Sequence, residues 1–340
     1  MLKLDSRQSL ELGPVPRTAV FSLDDWYVWG GSMVRTADGL CHLFYSRWPK
    51  QEGFSAWVTH SEITHALAQH PLGPYTHVDV ALPARGLPYW DGHCTHNPNV
   101  LYAAGKYYLY YMGNHGDRQP VVGLNWTHRN NQRIGVAVAD DPNGPWERGA
   151  APLIDVTPGF ADAICCSNPA VAQRPDGGFL MVYKAIGATG PLPFGGPVLH
   201  IAARADSPLG PFSKHPTPVF YKEGVHFAAE DPFVWQQDNT FYAIMKDQKG
   251  YFANTGRSLI LFVSPDGLTW DLATQPLVTR TEIHWTDGIC QAVDALERPQ
   301  LWLEESQPAV LFCACRPTSE ADHTVNVHIP VAKYPFKETT

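Results

Sequence analysis

The stretch HNPNVLY at residues 96–102 has four counterparts elsewhere in the chain, and together they predict the fold. Each begins with a polar or glycine-containing segment and continues into apolar residues. The counterparts are VWGGSMVR (28–35), SNPAVAQ (167–173), EDPFVW (230–235) and ERPQLW (297–302). Successive steps of 67, 71, 63 and 67 residues separate the alignment points Gly31, Pro98, Pro169, Pro232 and Pro299. A nearly constant step of this length predicts repeated structural units.

A second sequence signature recurs at the same position within four of the five repeats. Gly-Pro followed by an aromatic residue occurs at 73–75, 144–146 and 210–212, and a related turn, PDGLTW, occurs at 265–270. Turn residues also separate each alignment stretch from an apolar strand such as KYYLYYM (106–112). Four short strands repeated five times predict an all-β protein, a five-bladed β-propeller with four antiparallel strands per blade. The alternative is a β-sandwich whose sequence repeats by accident. It is disfavoured because two unrelated signatures recur with the same spacing.

Residues 1–340 are predicted to form a single domain. The blades are expected at about 21–85, 86–155, 156–220, 221–280 and 281–340. In the first blade, the third strand is predicted at 56–60, and a short helical turn at 62–69. The fifth repeat has room for three strands, so residues 8–20 are predicted to supply its outer strand and thereby close the ring.

Composition narrows the class of protein. The formal net charge of −8 disfavours a nucleic-acid or anionic-membrane partner, and no apolar run is long enough to predict a membrane span. The first residues lack the apolar core of a signal peptide. The seven cysteines show no zinc-ribbon spacing and are interpreted as reduced thiols, mostly buried. A cytoplasmic protein is therefore predicted; a homodimer is left open.

Polar residues cluster at one predicted end of the propeller. The start of each inner strand and the loops between second and third strands meet there, so these residues converge on the axis. Aromatic faces, amides, histidines and carboxylates together suit an oligosaccharide, the predicted partner. The candidate substrate-binding residues are Trp48, Trp90, Asp91, His93, His96, Asn97, His115, Asn168, His226 and Asp287.

Three carboxylates at this end share one spacing. Asp24, Asp91 and Asp162 each lie seven residues before the alignment point of their repeat. Hydrolysis of a glycosidic bond needs two carboxyl groups, one that protonates the leaving oxygen and one that is ionised. The alternative for any single aspartate is a structural role, in which it caps a turn before a strand.

The repeat register, the proline-led inner strands and the KYYLYY strand resemble the five-bladed glycoside hydrolases of families 43 and 117, and more distantly family 32, over residues 20–330. Glu230 stands two residues before Pro232, as the general acid of family 43 stands in its Glu-Gly-Pro. The family 43 base and pKa-tuning aspartates directly precede proline in blades one and three, where this chain has Gly30 and Asn168. The resemblance implies Glu230 as general acid, with Asp25 or Asp24 as base and Asp162 as the residue that orients the acid.

The expected function is an exo-acting, inverting glycoside hydrolase that removes a terminal furanoside or anhydrosugar, such as arabinofuranose, galactofuranose or 3,6-anhydrogalactose. Inversion is expected because Asp25 and Glu230 enter from blades that are not neighbours, which leaves room for a water molecule. One alternative is a non-catalytic carbohydrate-binding propeller. Another is a glycoside phosphorylase, with phosphate held by Arg47, His115, Lys184 and Arg316.

No cofactor is expected. The alternative is a divalent metal ion on the propeller axis, for which His93, His96, His226 and His284 are the candidate ligands. No spacing in the sequence requires such a metal.

Overall fold

A computed structural model of the chain describes residues 9–119 and 121–332. Residues 1–8, on which the signal-peptide argument partly rests, and residues 333–340, assigned above to the fifth blade, lie outside this description. So does Pro120, within the predicted second blade. No described helix is both long and apolar enough to span a membrane.

Four consecutive antiparallel sheets account for most of the chain, and each contains four strands in sequence order. A short strand, β1 (Val20–Phe21), precedes them. The first blade consists of β2 (Trp26–Arg35), β3 (Cys41–Pro49), β4 (Glu62–Ala68) and β5 (Thr76–Leu82). The second consists of β6 (Cys94–Ala103), β7 (Lys106–Asn114), β8 (Arg133–Ala139) and β9 (Glu147–Arg148).

The third and fourth blades repeat this order. The third consists of β10 (Cys165–Gln173), β11 (Phe179–Ile186), β12 (Val198–Ala205) and β13 (Ser213–Lys214). The fourth consists of β14 (Ala229–Gln237), β15 (Thr240–Asp247), β16 (Ser258–Ser264) and β17 (Asp271–Arg280). A small hairpin, β18 (Glu282–His284) and β19 (Cys290–Ala292), then leads to the fifth blade.

The N-terminal segment closes the ring, as predicted, but the outer strand is β1 at residues 20–21, at the end of the predicted range 8–20. The fifth blade has the strand order β1-β22-β21-β20, with β20 (Ala295–Glu304), β21 (Gln307–Arg316) and β22 (Val325–Pro330). Val20 pairs with Val327, and the backbone N–H of Gly13 donates to the carbonyl of Pro330 at 2.7 Å. The five-bladed, all-β prediction is therefore confirmed.

Every inner strand carries a bulge at the same place. The pairing register shifts there, for example between His96 and Asn99, and the residue before the alignment point takes a left-handed backbone conformation. The five left-handed residues are Gly30, Asn97, Asn168, Asp231 and Arg298, with φ between 50° and 57°. The repeated Gly or Pro in the sequence therefore marks the same backbone feature in all five blades, a bulge that bends the inner strand.

Apolar side chains fill the spaces between neighbouring blades. Leu109 and Tyr111 of blade two, for example, pack against Phe44, Ile63 and Leu82 of blade one, and all five are completely buried. Burial of large side chains of this kind is the main favourable term in folding. It also holds the blades at fixed angles around the axis, where the polar residues lie.

The first blade corrects one prediction. Residues 57–60 form a short helix, α1 (Trp57–His60), and the third strand is instead β4, at 62–68, where a helical turn was expected. Pairing with β3 overrides local sequence preference, because Glu62 lies opposite Arg47 and Ala68 opposite Cys41. A second short helix, α2 (Trp126–Asn130), lies in the corresponding loop of blade two.

Candidate active site

Four of the five left-handed residues, Asn97, Asn168, Asp231 and Arg298, meet at the axis in a hydrogen-bonded layer. The Asn97 side-chain amide donates to Oδ1 of Asn168 at 2.7 Å, and the Asn168 amide donates to Oδ1 of Asp231 at 2.7 Å. The backbone N–H of Arg298 donates to the other Asp231 oxygen at 3.2 Å. Asp231 and Arg298 thus join blades four and five to the amides of blades two and three.

Arg298 packs beside Gly30 at the axis, at a distance that a Cβ atom on Gly30 would turn into ordinary van der Waals contact. A Cβ atom on Gly30 would lie 3.6 Å from Cβ of Arg298. The Arg298 side chain is 1% exposed, and its guanidinium lies 3.6 Å from Asp231 and donates to the Asn97 carbonyl at 3.3 Å. This layer, from here on called the floor, closes the axis to a ligand entering from the end of the propeller where the inner strands begin.

Two glutamates and two lysines lie directly next to the floor. Glu230 and Glu297 are the residues that precede Asp231 and Arg298. Lys184 donates to Glu230 at 2.9 Å, and the ammonium of Lys246 donates to Glu297 and lies 3.5 Å from Glu230. Gln248 donates a further hydrogen bond to Glu230 at 3.0 Å. Both glutamate side chains remain partly exposed, at 17% and 18%. A ligand can therefore reach them from the end of the propeller where the inner strands begin, from here on called the funnel.

The pKa values of the neighbouring residues Glu230 and Asp231 are shifted in opposite directions. Burial favours the neutral form of Glu230, but the charges of Lys184 and Lys246 outweigh it and lower its pKa to about 2. Burial, reinforced by the charge of Glu230, raises the pKa of Asp231 to about 6 despite the nearby Arg298. Glu230 is therefore ionised throughout the physiological pH range, as a base or nucleophile requires.

Aromatic side chains form the wall of the funnel on the side of blade one. The rings of Trp48 and Trp57 lie 5.7 Å and 5.1 Å from that of His96, and Trp29 packs edge-on against Phe54 at 5.6 Å. His96 hydrogen-bonds through Nδ1 to the Ser61 hydroxyl at 2.7 Å, and burial lowers its pKa well below the usual value. Trp48 is 1% exposed and serves packing, whereas Phe54 and Trp57 are partly exposed.

Asp91 and Asp162 form the same structural clamp in successive blades. Asp162 accepts hydrogen bonds from Tyr183 of β11 at 2.8 Å and from Lys214 of β13 at 2.6 Å. Asp91 accepts one from Tyr111 of β7 at 2.7 Å and is also ion-paired with Arg85 and with Arg148 of β9.

Both aspartate side chains are completely buried, and their oxygens bind the second and outer strands of their own blades. The structure therefore does not bring Asp91 or Asp162 to Glu230 and Glu297 at the axis. Their seven-residue spacing reflects a repeated structural element, a clamp between strands, rather than the turn cap that was the structural alternative for a single aspartate. Asp162 also accepts a hydrogen bond from the backbone N–H of Thr157 at 3.1 Å.

Asp24 and Asp25 do not occupy the equivalent position in blade one. They form an exposed turn between Leu23 and Trp26. Their backbone carbonyls accept hydrogen bonds from the side chain and the backbone N–H of Lys50, at 2.6 Å and 3.0 Å. A catalytic role for Asp24 or Asp25 stays a prediction.

The remaining candidates are distributed over four places. Asn97 and Asn168 lie in the floor, and their amides bind each other. His93, His115 and His226 lie in loops at the mouth of the funnel, where the His93 ring accepts a hydrogen bond from Gly116 at 3.1 Å. Trp90 stacks on Tyr111 between blades. Asp287 is on the outer rim, 2.8 Å from Arg17, and is not brought to the axis.

Glu297, Lys246 and Arg298 were not predicted as site residues. A signal for Glu297 was present, since Glu297-Arg298-Pro299 aligns residue for residue with Glu230-Asp231-Pro232. Lys246 lies opposite Glu230 in the pairing of β14 with β15, just as Lys184 lies opposite Ser167 in blade three. The strand alignment therefore places both lysines at the same end of the propeller as Glu230.

Two groups of metal-ligating side chains lie within 4.8 Å among the residues described: Glu230, Asp231 and Glu297 on the axis, and Glu282, His284 and Cys290 on the rim. Neither contains two of the histidines proposed as axial ligands. The axial carboxylates already have the ammonium of Lys246 between them, so they suit a divalent ion poorly.

Known structures share this architecture. A family 117 glycoside hydrolase from the marine bacterium Zobellia galactanivorans is 16% identical, with a TM-score of 0.65 over 95% of this chain and 90% of that chain. A thermostable family 43 glycoside hydrolase is 14% identical, with a TM-score of 0.60 over 94% and 91%. The fold is that of the five-bladed glycoside hydrolases.

An endo-arabinase from Bacteroides thetaiotaomicron has the same fold, at 13% identity and a TM-score of 0.58 over 96% of this chain and 98% of that chain. The predicted resemblance to families 43 and 117 is therefore confirmed at the level of the fold. No family model and no curated protein matches the sequence.

Proposed function

We propose that this chain is a glycoside hydrolase whose reaction takes place at Glu230 and Glu297. The observation that carries the proposal is the placement of these two partly exposed carboxylates beside a closed floor, at the convergence of all five blades. In the described part of the chain, they are the carboxylates that combine access from the funnel with a position on the axis. The shared fold with glycoside hydrolases supports the same reaction class.

We propose exo action, as expected from the sequence. We propose a terminal furanoside or anhydrosugar as the substrate class, as the resemblance implies, with Phe54 and Trp57 as the aromatic surface for its C–H face.

The spacing of the carboxylates bears on the stereochemistry. Oxygens of Glu230 and Glu297 lie within 4.8 Å of each other, which is closer than the separation of about 6.5–9.5 Å that inverting enzymes use to admit a water molecule. We therefore propose that ionised Glu230 attacks the anomeric carbon while Glu297, in its protonated form, gives its proton to the leaving oxygen. Water, deprotonated by Glu297, then hydrolyses the glycosyl ester on Glu230 and restores both groups. The expected inversion rests on Asp25 as base, and it stays the competing prediction.

The phosphorylase alternative has less support. Arg47 is paired with Glu62, Arg316 with Asp294 and Lys184 with Glu230. Cations that already have carboxylate partners are less available to bind phosphate. A non-catalytic sugar-binding propeller is favoured by one observation, that Gly30 and Asn168 stand where family 43 has carboxylates. A cytoplasmic location and a homodimer stay predictions from the sequence.

A panel of aryl and natural furanosides, pyranosides and anhydrosugars, assayed with and without phosphate, tests the proposal. Turnover without phosphate, abolished by Glu230→Gln, is the expected result. Glu304→Gln is the matched control, because Glu304 pairs with Arg35 at the opposite end of the propeller. Sugar binding without turnover would favour the binding propeller, and turnover that requires phosphate would favour the phosphorylase.

A further inference from the structure

The hairpin β18–β19 brings three different metal-ligating side chains together on the outer rim. His284 and Cys290 face each other as the last cross-strand pair before the turn, and Glu282 lies two residues away on the same strand and the same face. The hairpin connects the outer strand of blade four with the inner strand of blade five, away from the axial carboxylates.

We propose that Glu282, His284 and Cys290 bind a zinc ion. Nε2 of His284 lies 3.0 Å from Oε1 of Glu282 and 3.8 Å from Sγ of Cys290, and all three ligand atoms lie within 4.8 Å. Tetrahedral zinc with ordinary bond lengths separates nitrogen and oxygen ligands by about 3.4 Å, and nitrogen and sulfur ligands by about 3.6 Å. Both contacts therefore fall within a few tenths of an ångström of the separation that zinc requires.

The geometry also distinguishes a metal site from a catalytic Cys-His-Glu triad. A triad uses one ring nitrogen of the histidine for the thiol and the other for the carboxylate. Here the thiol and the carboxylate both approach Nε2. Three ligand atoms that converge on one point suit a single cation, and the sulfur, nitrogen and oxygen donors select zinc over calcium or magnesium.

The site is open to solvent. His284 is 61% exposed in its side chain, and Cys290 is exposed whereas the other six cysteines are buried. Three protein ligands leave the fourth tetrahedral position for water. Binding replaces the thiol proton of Cys290 with the metal, so the proton is released to solvent and affinity falls as the pH decreases.

The position of the site gives the metal a structural consequence. The backbone N–H of Val15 donates to the carbonyl of His284 at 2.8 Å, and Thr286 donates to the carbonyl of Val15 at 3.0 Å. Val15 belongs to the N-terminal segment that closes the ring. A metal that joins the two strands of the hairpin would therefore also fix the surface against which this segment lies, and we expect zinc to raise the melting temperature.

Titration of the full chain with Co²⁺ in a reducing, chelator-free buffer tests the site. The expected result is a thiolate-to-cobalt charge-transfer band that saturates at one ion per chain, is displaced by Zn²⁺, and is lost in Cys290→Ser and weakened at least tenfold in affinity in His284→Ala. His323→Ala, at an exposed histidine in blade five, is the matched control and should retain the band.

Cobalt bound at the axial carboxylates would not be mistaken for cobalt at this site, because a site with oxygen ligands alone produces no thiolate-to-cobalt band. Circular dichroism of Cys290→Ser checks that the variant is folded. Absence of the band in the wild-type chain, or a band that persists in Cys290→Ser, would overturn the proposal. The test does not depend on glycoside hydrolysis, so it can succeed or fail independently of the function proposed above.

Discussion

Lys246 bridges carboxylates from two blades: its ammonium donates to Glu297 of blade five and lies 3.5 Å from Glu230 of its own blade. Lys184 reaches Glu230 in the same way from blade three, at 2.9 Å. The second strand of one blade thus supplies the cation for the inner strand of the next. This arrangement maintains the charge of Glu230 in a largely buried position, where an unpaired carboxylate would be neutral.

We predict that Lys246→Met moves the acidic limb of the pH–activity profile upward by at least one pH unit. With both lysines present, the pKa of Glu230 is about 2, and burial acts in the opposite direction. Removal of one positive charge raises this pKa, so ionised Glu230 is lost at a higher pH on acidification. Lys222→Met, at an exposed lysine beside Phe252, should leave the limb in place. An unchanged limb in Lys246→Met would contradict an essential ionised Glu230.

Leaving-group dependence separates the roles of the two glutamates. Glu297→Gln should reduce turnover of substrates with poor leaving groups by about 10²–10⁴-fold and affect activated aryl glycosides much less, because an acid matters most where the leaving oxygen is basic. Glu230→Gln should reduce turnover of both substrate types. The reverse pattern would assign Glu230 as the acid, as the resemblance to family 43 implies.

Asp231 should make folding stability depend on pH in the opposite sense to Glu230. Its pKa is raised to about 6 in the folded state, so its contribution is fully present below the unfolded value near 4 and is lost as the pH rises through 6. Relative to Asp231→Asn, the wild-type chain should therefore lose about 2–3 kcal/mol between pH 4 and pH 7. Urea denaturation at both pH values measures this difference, and a difference independent of pH would refute the assignment.

Asp162 and Asp91 should behave alike on substitution. Asp162→Asn and Asp91→Asn each weaken a buried ion pair, and we expect a loss of about 3–5 kcal/mol in the free energy of unfolding. The turnover of the fraction that remains folded should change less than tenfold. A loss of turnover by several orders of magnitude in Asp162→Asn, with normal stability, would instead restore its predicted role in orienting the acid.

The fold was predictable because the repeated Gly or Pro at each alignment point has a direct structural cause. The residue before each alignment point is left-handed and sits in a bulge, as Asn97 and Asn168 show, and five bulges at one phase define five inner strands. Ring closure followed from the short fifth repeat. The third strand of blade one was misplaced because the sequence of residues 56–69 does not reveal its pairing with β3.

The site was only partly predictable because equal spacing does not imply equal geometry. Asp24 shares the seven-residue spacing of Asp91 and Asp162 but lies in an exposed turn, since blade one lacks their clamp and instead pairs Tyr45 with His77 at 2.9 Å. Glu230 was found from its proline. Its partners come from strands far apart in sequence, so the closeness of Lys184 and Glu297 becomes visible only once the blades are arranged around the axis.

The most direct test of the central claim is proton NMR of the first-formed sugar during hydrolysis by the wild-type chain, compared with Glu230→Gln. If Glu230 and Glu297 form the catalytic pair, the wild-type chain will release the anomer that has the configuration of the substrate, and Glu230→Gln will release none on the same time scale. Release of the opposite anomer would contradict this pair and favour Asp25 as base. Hydrolysis that survives in Glu230→Gln would contradict the account as a whole.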